Sequence, residues 1–293
     1  MKIEKMLKRY RVENGKHFHL KDHDPEDTHG LDSEFKPAAK ELLAGGVQEL
    51  SQLQDVLAAQ DRWGVLIILQ AMDAAGKDGT IKHVMSGVNP EGVQVTSFKT
   101  PTEEEMRHGY LWRTSQHAPP RGTIGIFNRS YYEEVLIVRV HPQVLENEKL
   151  PKQLVTKQIW QERYQDIHDF ERYLTRNGIT VVKFFLHLSK KEQKRRFLER
   201  LDQPEKNWKF SAADVREREF WDDYQQAYED AIRNTASEHA PWYVVPADHK
   251  WFTRLVVAQV IVDVLKKMDL KYPKVSGAQK KELAEARQQL ANE

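Results

Sequence analysis

Short apolar runs bounded by Gly, Pro or Asn recur along the chain, and stretches of helical periodicity separate them. The runs predict strands at 64–70, 93–98, 123–127, 180–188 and 242–246. A helical pattern carried by Leu42, Leu43, Val47, Leu50, Leu53 and Leu57 covers 36–60. Further helices are expected at 80–86, 102–116, 130–138, 154–177, 190–201, 212–236 and 249–268. Strands that alternate with helices imply crossover connections and a parallel sheet covered on both faces. Such sheets bind ligands at the carboxyl ends of their strands. Residues 1–35 are polar and charged, with turn signals at Asp24-Pro25 and His29-Gly30, and are expected to wrap the surface. Beyond Tyr272-Pro273 the chain is charged and Ala-rich, which reads as a frayed surface helix or a disordered end. No internal repeat is evident.

Composition narrows the class. The chain has 293 residues, 40% hydrophobic and 30% charged, enough for one large α/β domain or one with insertions. A formal net charge of +1 argues against a chain-wide basic nucleic-acid binder, so any anion site is a local concentration of charge. With no cysteine there are no disulfides or thiolate metal sites, which fits a reducing compartment. No apolar run is long enough to span a membrane, and Met1-Lys2-Ile3-Glu4-Lys5 lacks the apolar core of a signal peptide. The expectation is a soluble cytoplasmic protein without membrane or nucleic-acid partners.

The most informative segment joins the apolar run Val65–Gln70 to Ala71-Met72-Asp73-Ala74-Ala75-Gly76-Lys77-Asp78-Gly79-Thr80. This is the layout of a strand, a phosphate-cradling loop and a helix N-terminus, whose amides and dipole favour an anion. It departs from G-x-x-x-x-G-K-[ST]: Ala71 replaces the first glycine, and Asp78 replaces the hydroxyl residue that usually ligates Mg²⁺. Asp73 offers a hard oxygen that could hold the metal instead. The plainer alternative is an ordinary strand–turn–helix with a surface lysine.

A second apolar strand, Ile124–Phe127, runs into Asn128-Arg129-Ser130-Tyr131-Tyr132-Glu133-Glu134. Phosphate-loop kinases place a metal-orienting carboxylate at this strand end. Asn128 brings no charge there, while Arg129 can clamp a transferring phosphoryl group. Ser130 and Glu133 also have capping-box spacing, a local role compatible with the first. The most basic stretch, Lys190–Arg200 followed by Lys206-Asn207-Trp208-Lys209, lies where these kinases carry a mobile lid. Arg196 and Arg200 share a helix face, although charge runs on helices are commonly just solvated. Arg113 and Arg121 precede the second loop-bearing strand and could extend the basic track or be plain surface arginines. His17, His19 and His23 lack the spacing of a metal site. The tryptophans Trp160, Trp208, Trp221, Trp242 and Trp251 read as core or groove walls.

Taken together, four segments resemble the polyphosphate kinase 2 family: Ala71–Thr80, Asn128–Leu136, Lys206-Asn207-Trp208-Lys209-Phe210 and Tyr228-Glu229-Asp230-Ala231. Trp242–Asp248 with Lys250-Trp251 resembles the family's last strand and its exit, and the likeness runs from about Tyr10 to Leu270. The resemblance implies a three-layer α/β/α phosphate-loop kinase fold related to thymidylate kinase, with a central, mostly five-stranded parallel sheet and a helical lid. On this basis residues 1–35 are an N-terminal extension, 36–270 the kinase domain with its lid at about 189–215, and 271–293 a charged tail. It further implies inorganic polyphosphate as donor and Mg²⁺ as cofactor, with Mn²⁺ as a substitute. Asn128, Glu133 and Asp24-Pro25-Glu26-Asp27-Thr28 resemble the class III branch, which phosphorylates both AMP and ADP and so makes ATP from AMP.

The roles that follow are expectations. Asp73 holds Mg²⁺ and orients the acceptor; Lys77 and the amides of Ala74, Ala75 and Gly76 grip phosphate, with Asp78 and Gly79 at the same site. Arg129 bridges donor and acceptor, Asn128 lies at the phosphate and nucleotide site, and Glu133 serves there as a second metal contact or in nucleotide selection. Arg196, Arg200, Lys206, Lys209 and Arg113 line the polyphosphate channel. A homo-oligomer is expected because family members commonly form one. Three rivals remain open: a diphosphate-only class I relative, an ATP-dependent nucleoside monophosphate kinase, and a non-catalytic polyanion binder.

Overall fold

The computed structural model describes residues 3–293, except the side chain of Lys209. Six strands form one sheet: β1 (Arg11–Val12), β2 (Gly64–Ala71), β3 (Val93–Ser97), β4 (Ile124–Asn128), β5 (Ile179–His187) and β6 (Trp242–Pro246). Their order is β1-β6-β5-β2-β4-β3. The helices are α1 (Ile3–Tyr10), α2 (Lys36–Gln60), α3 (Lys77–Val84), the short α4 (Trp112–Ser115), α5 (Ile137–Val140) and α6 (Pro142–Asn147), then α7 (Ile159–Arg176), α8 (Lys190–Asp202), α9 (Ala212–Glu217), α10 (Trp221–Thr235), α11 (Lys250–Lys267) and α12 (Gly277–Ala291).

β2 is central because every residue in it is apolar or small enough to bury, apart from Gln70. It runs parallel to both β4 and β5, with Ile67 opposite Ile126 on one side and Val182 on the other. Alternate side chains reach opposite faces. Val65, Ile67 and Leu69 pack with Leu50 and Leu57 of α2 and with Val256 and Val260 of α11. Leu66 and Ile68 pack with Ile167 of α7 and with Tyr228 and Ile232 of α10. The chain builds β3 and β4 on one side of β2, then crosses to build β5 and β6 on the other. The carboxyl end of β2 is therefore the point where strand order reverses, which is where a doubly wound sheet opens a crevice.

Several local expectations change. The sheet gains a sixth strand, since β1 pairs antiparallel with β6 through Arg11 opposite Tyr243 and Val12 opposite Trp242. The amino-terminal residues do more than wrap the surface: Met6, Leu7 and Tyr10 of α1 are buried in the core. The helix expected at 102–116 is two short pieces, a 3₁₀ turn at Glu105–Arg107 and α4, because His108 is extended ahead of Gly109. The helix expected at 130–138 is a 3₁₀ turn, Tyr131–Val135, followed by α5, and Leu136 breaks the two with φ −112° and ψ −88°. The helix expected at 212–236 is interrupted by a 3₁₀ turn at Arg218–Phe220. The carboxyl-terminal segment does form a helix, α12, opened by a Ser276–Gln279 capping box, with every residue exposed. None of the described helices is long and apolar enough to cross a membrane.

Candidate active site

The loop between β2 and α3 turns sharply because two of its residues take left-handed backbone, Ala74 at φ 63° and Gly76 at φ 102°. Gly76 is the residue before α3 and does this without steric cost, whereas Ala74 is strained, as is common where a loop shapes a site. The first-turn amides of α3 have no intrahelical acceptors and point out of the helix end. One loop amide departs from expectation. The Ala75 N–H is committed to the Met72 carbonyl at 3.3 Å, and its side chain is buried in the core. Its amide closes the turn rather than facing the cleft.

Lys77 Nζ lies over the loop and donates to the Ala71 carbonyl at 2.9 Å. Burial and the nearby Arg129 guanidinium lower its pKa, while Asp73, Glu133 and Asp78 act in the opposite sense. Arg129 leaves β4 with φ 65°, and this turn brings its guanidinium across to the phosphate loop. It donates to Asp73 at 3.1 Å and to Glu133 at 3.2 Å. Glu133 and then Asp73 hold the Arg129 pKa above its ordinary value against the effect of burial. The expected capping box is absent for the same reason: Ser130 accepts from the Tyr132 amide instead, and Glu133 is turned to Arg129. Asn128 Nδ2 donates to Asp78 at 2.7 Å, tying the second strand end to the first turn of α3.

The lid expectation divides. Arg200 lines the cleft beside Asp73, Gly76, Lys77, Asp78 and Arg129, a cavity of about 730 Å³. Lys206 pairs with Glu199 at 2.8 Å and borders an adjoining space of about 220 Å³ together with Arg196 and Arg200. Arg196 is buried and spends its guanidinium on protein. It donates to the carbonyls of Ala74 and Ala75 at 2.9 Å, of Ala247 at 2.6 Å and of Asp248 at 3.1 Å, and it pairs with Glu192 at 2.7 Å. It pins the phosphate loop to the exit of β6, and only its edge faces the channel. Arg113 stands apart from the lid, buried against Phe98 with a 2.8 Å bond to the Lys99 carbonyl. The side chain of Lys209 lies outside the described residues.

Arg113 instead walls a second, largely apolar cavity of about 510 Å³, between the 98–113 segment and α7. Arg129 and Glu133 close the end of this cavity that faces the cleft. Deeper in, Arg163 donates to Glu134 at 3.4 Å and to Glu148 at 2.5 Å. Burial, with Glu148 adjacent, pushes the Glu134 carboxyl up to about 7.

Sequence reasoning missed two contributors. Gln193 of α8 donates to the Asp73 carbonyl at 3.0 Å, and Asp214 of α9 faces the cleft near Asp73. Burial first, and then the Asp73 charge, raise the Asp214 pKa. Both come from α8 and α9, more than a hundred residues along the chain, and neither stands out in a helix pattern. Among the described residues no three carboxylates or histidines converge as a metal cage. Asp73, aided by Asp214 or Asp78, is the donor set available. That suits a hard divalent cation held by one or two carboxylates and completed by substrate phosphates and water.

A parallel sheet with a Gly-Lys loop at its switch point, an arginine from the neighbouring strand end and a basic helix over both is the architecture of a phosphate-loop kinase. Residues 31–273 match the family described as Polyphosphate kinase 2 (PPK2). The chain belongs to that family. It is 55% identical over 258 residues, 88% of this chain and 89% of the relative, to the ADP-polyphosphate phosphotransferase of Rhodopseudomonas palustris. It is 48% identical over 275 residues, 94% of this chain and 98% of the relative, to the AMP/ADP-polyphosphate phosphotransferase of Meiothermus ruber. The crystal structure of Polyphosphate Kinase 2 from Arthrobacter aurescens TC1 superposes with a TM-score of 0.85 at 42% identity, covering 94% of this chain and 95% of that one.

Proposed function

We propose that this chain transfers a phosphoryl group from inorganic polyphosphate to AMP and to ADP, forming ADP and ATP. The observation that carries the reading is the position of Arg129, which lines both the phosphate cleft and the apolar cavity. A donor chain in the cleft and a nucleoside in the cavity would meet at its guanidinium. The apolar cavity has the size and lining of a small-molecule site.

The reacting oxygen of the acceptor phosphate is already ionised at neutral pH, so no general base is required. It attacks the terminal phosphorus of the chain. The bond to the bridging oxygen breaks, and polyphosphate leaves one unit shorter with that electron pair. The protein's share is positioning and charge stabilisation. Lys77 leaves the Ala71 carbonyl for a phosphate oxygen, and the first-turn amides of α3 hold the same group. Arg129 exchanges Asp73 for the transferring phosphoryl, and Glu133 keeps its guanidinium aimed. Mg²⁺, held at Asp73, would neutralise charge on the phosphates. Gln193 fixes the loop carbonyl behind that carboxylate. Arg200 and Lys206 carry the rest of the donor. Residues 36–270 serve as the kinase unit, with 189–215 as its lid. The cysteine-free chain suits a cytoplasmic enzyme, and the family habit favours a homo-oligomer.

A second reading, phosphorylation of ADP alone, is favoured by the name of the Rhodopseudomonas palustris relative. The test is incubation of AMP, Mg²⁺ and long-chain polyphosphate with no ATP present. ADP followed by ATP supports the proposal. Conversion of ADP but not AMP establishes the second reading, and turnover only when ATP is the donor overturns both.

A further inference from the structure

The cleft's second wall comes from outside the lid. The space of about 220 Å³ that continues from the phosphate loop is bordered by Arg196, Arg200 and Lys206 on the lid side and by Lys250 and Arg254 of α11 on the other. Glu199 is the one carboxylate among its lining residues. Five cations against one anion is an unbalanced arrangement in a partly enclosed space, and a polyanion would relieve it. Arg196 and Lys206 are already engaged by protein acceptors. Lys250 and Arg254 differ: among the described residues neither side chain makes a hydrogen bond or an ion pair. The Arg254 guanidinium sits over the first turn of α3, where a Cβ on Gly79 would come within 3.7 Å of Nη2. Burial first and then the neighbouring Arg196 charge lower the pKa of both Lys250 and Arg254; Glu199 and Glu192 oppose the shift at Lys250, whereas no carboxylate opposes it at Arg254.

We infer that Lys250 and Arg254 bind the part of the polyphosphate chain beyond the reacting phosphate and so set the enzyme's preference for long donors. The inference rests on the proposed function and deepens it. The reacting end lies between Asp73, Lys77 and Arg129; the chain then passes over Gly76 and Gly79, which border both spaces. It emerges between α8 and α11. On this inference a donor of two or three phosphates is held chiefly by the cleft residues, whereas a long chain also gains both α11 cations. The fold supports this division, since α11 packs on the sheet through its buried face and presents Lys250 and Arg254 at its amino-terminal end, where its helix dipole adds to the positive field.

The experiment compares KM for long-chain polyphosphate, for tripolyphosphate and for AMP in the wild type, in Lys250→Ala/Arg254→Ala, and in the control Lys266→Ala. Lys266 lies on the same helix but pairs with Glu49 away from the cleft. The double variant is expected to raise KM for long chains about tenfold, to move KM for tripolyphosphate and AMP less than twofold, and to lower the slope of log affinity against log salt by about 1.4, at about 0.7 per charge for a single-stranded polyanion. The control should leave all three constants in place. Equal KM shifts for long and short donors, or an unchanged KM for long chains in a variant with wild-type circular dichroism, would overturn the inference while the proposed function stood. A wild type that used no polyphosphate at all would overturn the function beneath it.

Discussion

Lys183 is the sharpest test of how this core supports its site. It lies in the middle of β5 with no exposure, as does its partner Glu171 on α7. Lys183 Nζ donates to Glu171 Oε2 at 2.5 Å, to the Tyr132 hydroxyl at 3.1 Å and to the Thr235 carbonyl at 2.9 Å. Glu171 Oε1 in turn accepts from the Tyr131 and Tyr132 hydroxyls at 3.1 and 2.8 Å. Burial drives the two pKa values toward neutrality, lowering that of Lys183 and raising that of Glu171, and the pair opposes it by mutual attraction. Lys183→Met removes one partner and leaves a buried carboxylate facing apolar neighbours. Breaking such a pair costs about 3–5 kcal/mol, so urea unfolding should show a loss of that order and melting should fall on the order of 10 °C. Glu171→Gln/Lys183→Met removes both charges yet keeps an acceptor for the tyrosines, and it should recover at least half of the loss. The network also grips Tyr131 and Tyr132, two and three residues after Arg129, so the single variant should lose turnover beyond its loss of folded protein. A single-variant loss below about 1 kcal/mol, or a double variant no more stable than the single, would refute the reasoning.

Three further outcomes follow from the site. Asp73→Ala removes the carboxylate available to a divalent cation and one of the two acceptors of Arg129, and should lower kcat by about 10²–10³, as loss of an electrostatic group does; near-normal turnover at saturating Mg²⁺ would remove Asp73 from its role. Arg196→Ala frees four loop carbonyls and should destabilise the fold by about 3 kcal/mol, with looser protection of the 72–78 amides in hydrogen exchange; unchanged stability would mean that the arginine serves ligand alone. The Glu134 carboxyl, raised to about 7 by burial beside Glu148 and against the pull of Arg163 and Arg113, stays mostly protonated in the folded protein between about pH 4.5 and 7, where the unfolded chain ionises. Its contribution to stability is therefore intact below about pH 4.5 and falls by about 3 kcal/mol as pH rises to 7, and Glu134→Gln should abolish that decline in urea midpoints measured between pH 5 and 8.

Much of the scaffold was legible in the sequence because β2, β4, β5 and β6 are mostly buried and read as apolar runs, broken only by residues such as Gln70 and Lys183. The phosphate loop followed from the same signal. What stayed hidden depends on long-range contacts. β1 is two residues long, and Met6, Leu7 and Tyr10 are three apolar positions in a charged stretch, so the first core helix read as surface. Lys183 interrupts an apolar strand without any local cue that Glu171 waits on α7. Arg196 looked like a lid cation because its neighbours are charged; its carbonyl partners come from loops about 50 and 120 residues away. Arg113 was grouped with the basic lid by charge, whereas the sheet order places it at the other cavity. The helices expected at 102–116 and 130–138 are broken where the chain lines the apolar cavity, and the second begins beside the turn at Arg129.

The most direct measurement is ³¹P NMR of AMP and long-chain polyphosphate with Mg²⁺ and no added ATP, wild type beside Lys77→Ala. In the wild type the β-phosphate signal of ADP and then the γ-phosphate signal of ATP should grow as chain-end signals shift, and the variant should be slower by about 10²–10³. Nucleotide signals that remain those of AMP in the wild type, or a variant that keeps pace with it, would contradict the account.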